Sequence, residues 1–94
     1  MSKVYLLVYS NACGSRDQIK AWAGTKPLVK TWRYDLPNAF YIVSDASAND
    51  LMQSLMNFIG RKGRFIITEI GSNRNGLLPT DTWEFFKKHK MMEE

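Results

Sequence analysis

The sequence predicts an α+β domain built on a four-stranded antiparallel sheet. Three observations lead there. Apolar strand-like runs and helical stretches follow one another as strand, helix, strand, strand, helix, strand. The two middle strand runs flank the turn cluster Asp35-Leu36-Pro37-Asn38, which makes them a hairpin. The second helix carries a 3.6-residue apolar period suited to lying on a sheet.

The first strand covers residues 4–9, VYLLVY. Leu6 and Val8 share one face, and Tyr5, Leu7 and Tyr9 the other. Both faces are apolar, which predicts a central strand covered on each side. Ser15 with Gln18 three residues later is a capping-box pattern that opens a short helix. Ile19, Trp22 and Ala23 give that helix its apolar face, Gly24 is placed to end it in a left-handed conformation, and Pro27 blocks continuation.

Residues 28–34 and 39–44 are the hairpin strands. Ser47-Ala48-Asn49-Asp50 caps the second helix. Leu51, Leu55 and Phe58 form its stripe, with Met52, Met56 and Ile59 beside it, and Gly60 closes it. Residues 63–70, GRFIITEI, are the fourth strand, followed by the polar loop 71–76. Leu77 and Leu78 suggest a short extended piece. After Pro79 and Thr80 comes a last helical turn or two, with Trp83 and Phe86 inward and Lys87, Lys88 and Lys90 outward. Residues 91–94 are expected to fray.

This order is the split βαβ, ferredoxin-like arrangement: two helices on one face of the sheet, plus a short C-terminal strand or helix appendage. The apolar outer residues of the first strand argue that the second face is covered as well, by the tail or by a partner. The 94 residues form one domain, 1–94, with 45 % hydrophobic residues and three Trp, four Tyr and five Phe to fill a core. At this size a homodimer is a natural expectation.

One cysteine excludes a disulfide framework and a zinc site built on several thiolates. The opening run is too short for a signal-peptide core, and no stretch reaches the roughly 20 apolar residues that span a bilayer. The expectation is a cytoplasmic protein with no membrane partner. The net charge of +4 permits a polyanionic partner without demanding one. The basic residues group as Lys26, Lys30 and Arg33, as Arg61, Lys62 and Arg64, and as Lys87, Lys88 and Lys90. Each group also reads as a solvated surface.

The pieces VYLLVYS, TWRYDLPNAFYIVSDASANDLMQSL, GRFIITEI and GLLPTDTWEFFKKH follow one another in a characteristic order. In that order the chain resembles the small CRISPR-adaptation-subunit superfamily, which includes VapD-type ribonucleases, and more closely its SinR-like branch. The resemblance implies a homodimer whose basic surfaces hold nucleic acid backbones. It also implies, in members that are nucleases, an aspartate at the end of the first strand for a divalent metal. Here that position is Ser10, followed by Asn11. A neutral hydroxyl does not supply the anionic oxygen that a hard cation needs. The resemblance therefore points away from an enzyme, with no metal, no cofactor and no catalytic residue, and with Ser10 as a degenerate metal position.

Other chemistry in the sequence is sparse. Cys13 lies near a helix start and Arg16, a setting that can lower a thiol pKa, but the only histidine is His89, far along the chain. An incidental loop cysteine is the simpler reading. Residues 11–15 offer backbone N–H groups to an anion, or merely cap a helix. Arg74, between Asn73 and Asn75, suits a phosphate contact or a solvated loop tip. Trp32, Tyr34 and Tyr41 offer stacking faces for bases, or core packing. The candidate nucleic-acid contacts are Arg16, Lys30, Arg33, Arg61, Lys62, Arg64 and Arg74.

Three functions fit. The first is a non-catalytic, nucleic-acid-binding or complex-forming dimer. The second is a VapD-like metal-dependent ribonuclease working through other acids, with Asp17, Asp45 or Glu69 contributing. The third is a protein-interaction module of a mobile element or toxin–antitoxin system, with a protein partner on the sheet.

Overall fold

The computed structural model describes residues 2–25 and 28–89. Lys26, Pro27, Lys90 and the tail 91–94, to which the sequence assigned a charge group, a helix stop, an outward lysine and a frayed end, lie outside the described residues.

Four strands, β1 (Lys3–Tyr9), β2 (Thr31–Arg33), β3 (Ala39–Ser44) and β4 (Phe65–Glu69), form one sheet in the order β2-β3-β1-β4. Every neighbouring pair is antiparallel, with Leu6 opposite Tyr41 and Thr68, and Trp32 opposite Ile42. Helices α1 (Arg16–Thr25) and α2 (Ala48–Ile59) follow β1 and β3, and α3 (Thr80–His89) ends the described chain. The protein is α+β, with a four-stranded antiparallel sheet and three helices.

Side-chain alternation along β1 divides the interior into two layers. Tyr5, Leu7 and Tyr9 join Phe40 and Ile42 under Ile19 and Trp22 of α1 and Leu51, Leu55 and Ile59 of α2. Trp22 Nε1 donates to Ser54 Oγ across the helix pair, 3.1 Å. Val4, Tyr41 and Val43 face the other way and meet Phe86 of α3, with Leu6, Ile70, Leu78, Trp83 and Phe85 around them. All six residues of β3 are buried, because each of its faces has a helix layer over it.

The termini of α1 and α2 follow local chemistry. The Ser15 N–H donates to Gln18 Oε1 (2.8 Å), while Ser15 Oγ accepts from the Gln18 N–H (3.2 Å), a reciprocal capping box. Ser47 Oγ accepts from the Asp50 N–H, and Gly60, at φ 75°, closes α2 with its N–H on the Met56 carbonyl.

Several expectations need correction. Gly24 lies inside α1 and does not take a left-handed conformation. The buried stripe of α2 runs through Leu51, Leu55 and Ile59, and Phe58 is 42 % exposed. One residue is a turn of about 100° on a helix, which is enough to exchange Phe58 for Ile59 at the core. Strands β2 and β4 are shorter than the apolar runs that announced them. Leu77 and Leu78 carry no strand; Leu77 is 99 % exposed, and the appendage is a helix of ten residues. No helix among the described residues is long and apolar enough to cross a membrane.

Candidate nucleic-acid interface

The end of β1 meets the start of β4 through Ser10. Its N–H donates to the Arg64 carbonyl (2.8 Å), and its hydroxyl accepts from the Arg64 N–H (3.0 Å). Just beyond, a 3₁₀ turn over Asn11–Cys13 carries Cys13 inward. The thiol is buried and donates to the same Arg64 carbonyl at 3.4 Å. Gly63 completes the joint. It stands at φ 76°, and a Cβ there would come within 2.7 Å of the Cys13 nitrogen and 2.8 Å of Ser10 Oγ. Only glycine lets the chain pass so close at that dihedral.

This joint holds the loop between α2 and β4. Arg61, Lys62, Gly63 and Arg64 are all exposed, and Arg61 takes φ 63°, a left-handed conformation that costs a non-glycine residue about 1–2 kcal/mol. The three cations surround a concavity of about 330 Å³ floored by Met52, Met56 and Phe65. Lys62 also borders a second hollow with Gln18, Phe58 and Ile59. Arg64 borders a third, with Val8, Ser10 and Ile66. No acidic residue lines any of the three. The loop follows the C-terminus of α2, whose dipole end favours cations.

The other four candidate cations are engaged within the fold. Lys30 Nζ pairs with Asp45 Oδ2 at 3.0 Å and donates to Ser2 Oγ at 2.9 Å. Hydrogen bonds from Lys30 and Ser2 hold the Asp45 carboxyl below its ordinary pKa. Arg33 Nε donates to Thr82 Oγ1 (2.8 Å), and its guanidinium pairs with Asp35 at 3.4 Å. Thr82 in turn donates to Asp35 Oδ2. Arg74 donates to the Gly71 carbonyl (2.7 Å) and lies over the Phe86 ring, 5.4 Å from its centre. The Arg16 guanidinium sits 4.4 Å from the centre of the Tyr34 ring.

The aromatic candidates are likewise placed by packing. Trp32 and Tyr34 lie nearly parallel, 2° apart, with both rings tilted against Phe40. Lys20 Nζ stands 6.0 Å from each of them. Tyr41 is 4 % exposed and meets Phe86 edge-on. Burial raises the Tyr41 pKa, and its hydroxyl has no hydrogen-bond partner among the described residues.

The acids do not converge. Asp17 is exposed in the first turn of α1. Glu69 is exposed at the far end of β4, beside Tyr5 rather than Ser10. No three His, Cys, Asp or Glu residues gather among the described residues. His89 packs on Phe85 in the α3 layer, while Cys13 belongs to the opposite layer under α1 and α2. The sequence did not reveal Asp35 or Thr82, whose mutual contact spans 47 positions.

Comparison with family models, with curated proteins and with solved structures returns no match.

Proposed function

We propose that this protein is a non-catalytic homodimer that holds nucleic acid by its phosphate backbone through the 61–64 loop. The observation that carries the reading is the sorting of the seven candidate cations. Four are engaged by acids, carbonyls or rings, whereas Arg61, Lys62 and Arg64 stand together, exposed, without an ion pair among the described residues. Grouped, uncompensated cations are what a phosphate backbone seeks.

The element order β-α-β-β-α-β, with β1 and β3 in the middle of the sheet, supports a ferredoxin-like reading and the likeness to the CRISPR-adaptation-subunit superfamily. The non-catalytic part rests on Ser10. Its hydroxyl already accepts the Arg64 N–H, and it brings no anionic charge for a hard cation. The homodimer rests on the sheet's second face. Val8 and Ile66 are cross-strand partners, 42 % and 61 % exposed, next to the layer that α3 covers.

Labelled RNA and DNA oligonucleotides, incubated with the full chain at low salt with and without manganese, test the reading. It expects bound, uncut strands and a sedimenting species of about twice the chain mass. Manganese-dependent cleavage would establish the ribonuclease instead. Absence of binding at low salt would pass the case to the protein-interaction module.

A further inference from the structure

We propose that the 61–64 loop takes an unpaired strand of nucleic acid, with phosphates on Arg61, Lys62 and Arg64 and a base on the floor of Met52, Met56 and Phe65. The inference rests on the nucleic-acid reading above and narrows it to single strands.

A duplex gripped by its backbone asks chiefly for positive charge, since the faces of its bases are stacked inside. This site offers more than charge. The same concavity that Arg61, Lys62 and Arg64 line is floored by three apolar side chains, all half-buried and so part-open to solvent. Unpaired bases expose flat apolar faces that gain by resting on such a surface. Methionine suits them, because its thioether is polarisable and makes favourable contacts with aromatic rings.

Two further hollows border the same loop. Lys62 adjoins Gln18 and Phe58 in one, and Arg64 adjoins Ser10 and Phe65 in the other. Lys62 and Arg64 each border two hollows, so a strand leaving the first concavity keeps a cation beside it. With no acid in any of the three linings, nothing in them repels the strand.

The loop is also set in advance. Gly63 is pressed against Cys13 and Ser10, and Arg64 is tied by both of its backbone groups. Such preorganisation lowers the ordering cost of binding. An anionic bilayer surface shares the taste for cations and apolar side chains. A concavity lined by both cations and apolar side chains suits a base that can enter it better than a flat array of headgroups.

The test is fluorescence anisotropy with the full chain at about 50 mM salt. The probes are a twelve-nucleotide oligothymidylate, the matching oligouridylate, a blunt duplex of equal length and an abasic strand of equal length. Both base-bearing single strands are expected to bind about fivefold or more tighter than the duplex and the abasic strand. Replacing the floor by Met52→Gln with Met56→Gln should weaken oligothymidylate about fivefold while leaving the abasic strand within about twofold. The comparison of probes on the unaltered chain stands even if that variant is unstable. Equal affinity for all four probes would overturn the single-strand inference and leave the broader reading intact. No binding of any probe would overturn both. Sedimentation with phosphatidylglycerol vesicles, in the absence of oligonucleotide binding, would assign the surface to a membrane and likewise overturn both.

Discussion

Ser10 and Arg64 bond to each other twice through 54 positions of sequence, the serine N–H to the arginine carbonyl and the arginine N–H to the serine hydroxyl. The contact fastens the end of β1 to the start of β4. It also fixes where the 61–64 loop leaves the body of the protein, so Ser10 acts as a joint between two strands.

The joint predicts unequal costs at two nearby glycines. Gly60 and Gly63 both have positive φ, but a Cβ on Gly60 meets nothing nearer than 3.8 Å, whereas one on Gly63 collides with the Cys13 backbone. Gly60→Ala should cost about 1–2 kcal/mol from the left-handed dihedral alone. Gly63→Ala should cost about 2–4 kcal/mol, since overpacking adds to the dihedral. Urea unfolding of the two variants measures the difference, and equal losses would contradict the packing described.

Two tyrosines should respond oppositely to loss of the hydroxyl. The Tyr5 hydroxyl donates to the Ala46 carbonyl at 2.7 Å, so Tyr5→Phe should cost about 1 kcal/mol. The Tyr41 hydroxyl is buried without a partner among the described residues. Tyr41→Phe keeps the ring against Phe86 and should be neutral or stabilising by about 1 kcal/mol. Thermal melts distinguish the two directions, at roughly 4–8 °C per kcal/mol for a chain of this size.

Asp35 latches α3 to the hairpin. It accepts from Thr82, which is 0 % exposed, and it pairs with Arg33. Asp35→Ala leaves a buried hydroxyl without its acceptor and a guanidinium without its counter-ion, at about 2–3 kcal/mol. Hydrogen exchange should accelerate across α3 and remain slow in α2. Uniform acceleration in both helices would show that the latch serves the whole fold instead.

Burial, assisted by Lys88, lowers the pKa of His89 below its ordinary 6.5. Below pH 6.5 the unfolded chain then binds the proton more readily than the folded chain does. The contribution of His89 to stability is therefore complete above pH 6.5 and diminishes as pH falls from there through the folded pKa. An NMR titration of the imidazole should give a midpoint under 6.5, and His89→Gln should flatten the dependence of the melting temperature between pH 7 and 5. A midpoint above 6.5 would contradict the burial of the imidazole as the dominant influence on it.

What the sequence made legible was what local chemistry decides. The Ser15–Gln18 box, the Ser47 cap, the Gly60 stop and the hairpin around Asp35-Leu36-Pro37-Asn38 all act within a few residues, and each formed. Phe58 and Ile59 were not separable, because both are large, apolar and adjacent, and only packing against the sheet tells them apart. Of the candidate interface, the adjacency of Arg61, Lys62 and Arg64 was visible in the chain. Their distinction from Arg33 and Arg74 was not. It depends on Thr82 reaching Arg33 across 49 positions and on Phe86 lying beneath Arg74.

The account depends above all on which cations meet phosphate. The slope of log affinity against log salt for a single-stranded oligonucleotide counts the counterions released. Arg61→Gln, Lys62→Gln and Arg64→Gln together should lower that slope by about 2, from about 0.7 per cation. Lys30→Gln, which removes a cation already paired with Asp45, should leave it unchanged. A triple variant with the full slope, or a Lys30 variant with the reduced one, would place the interface elsewhere.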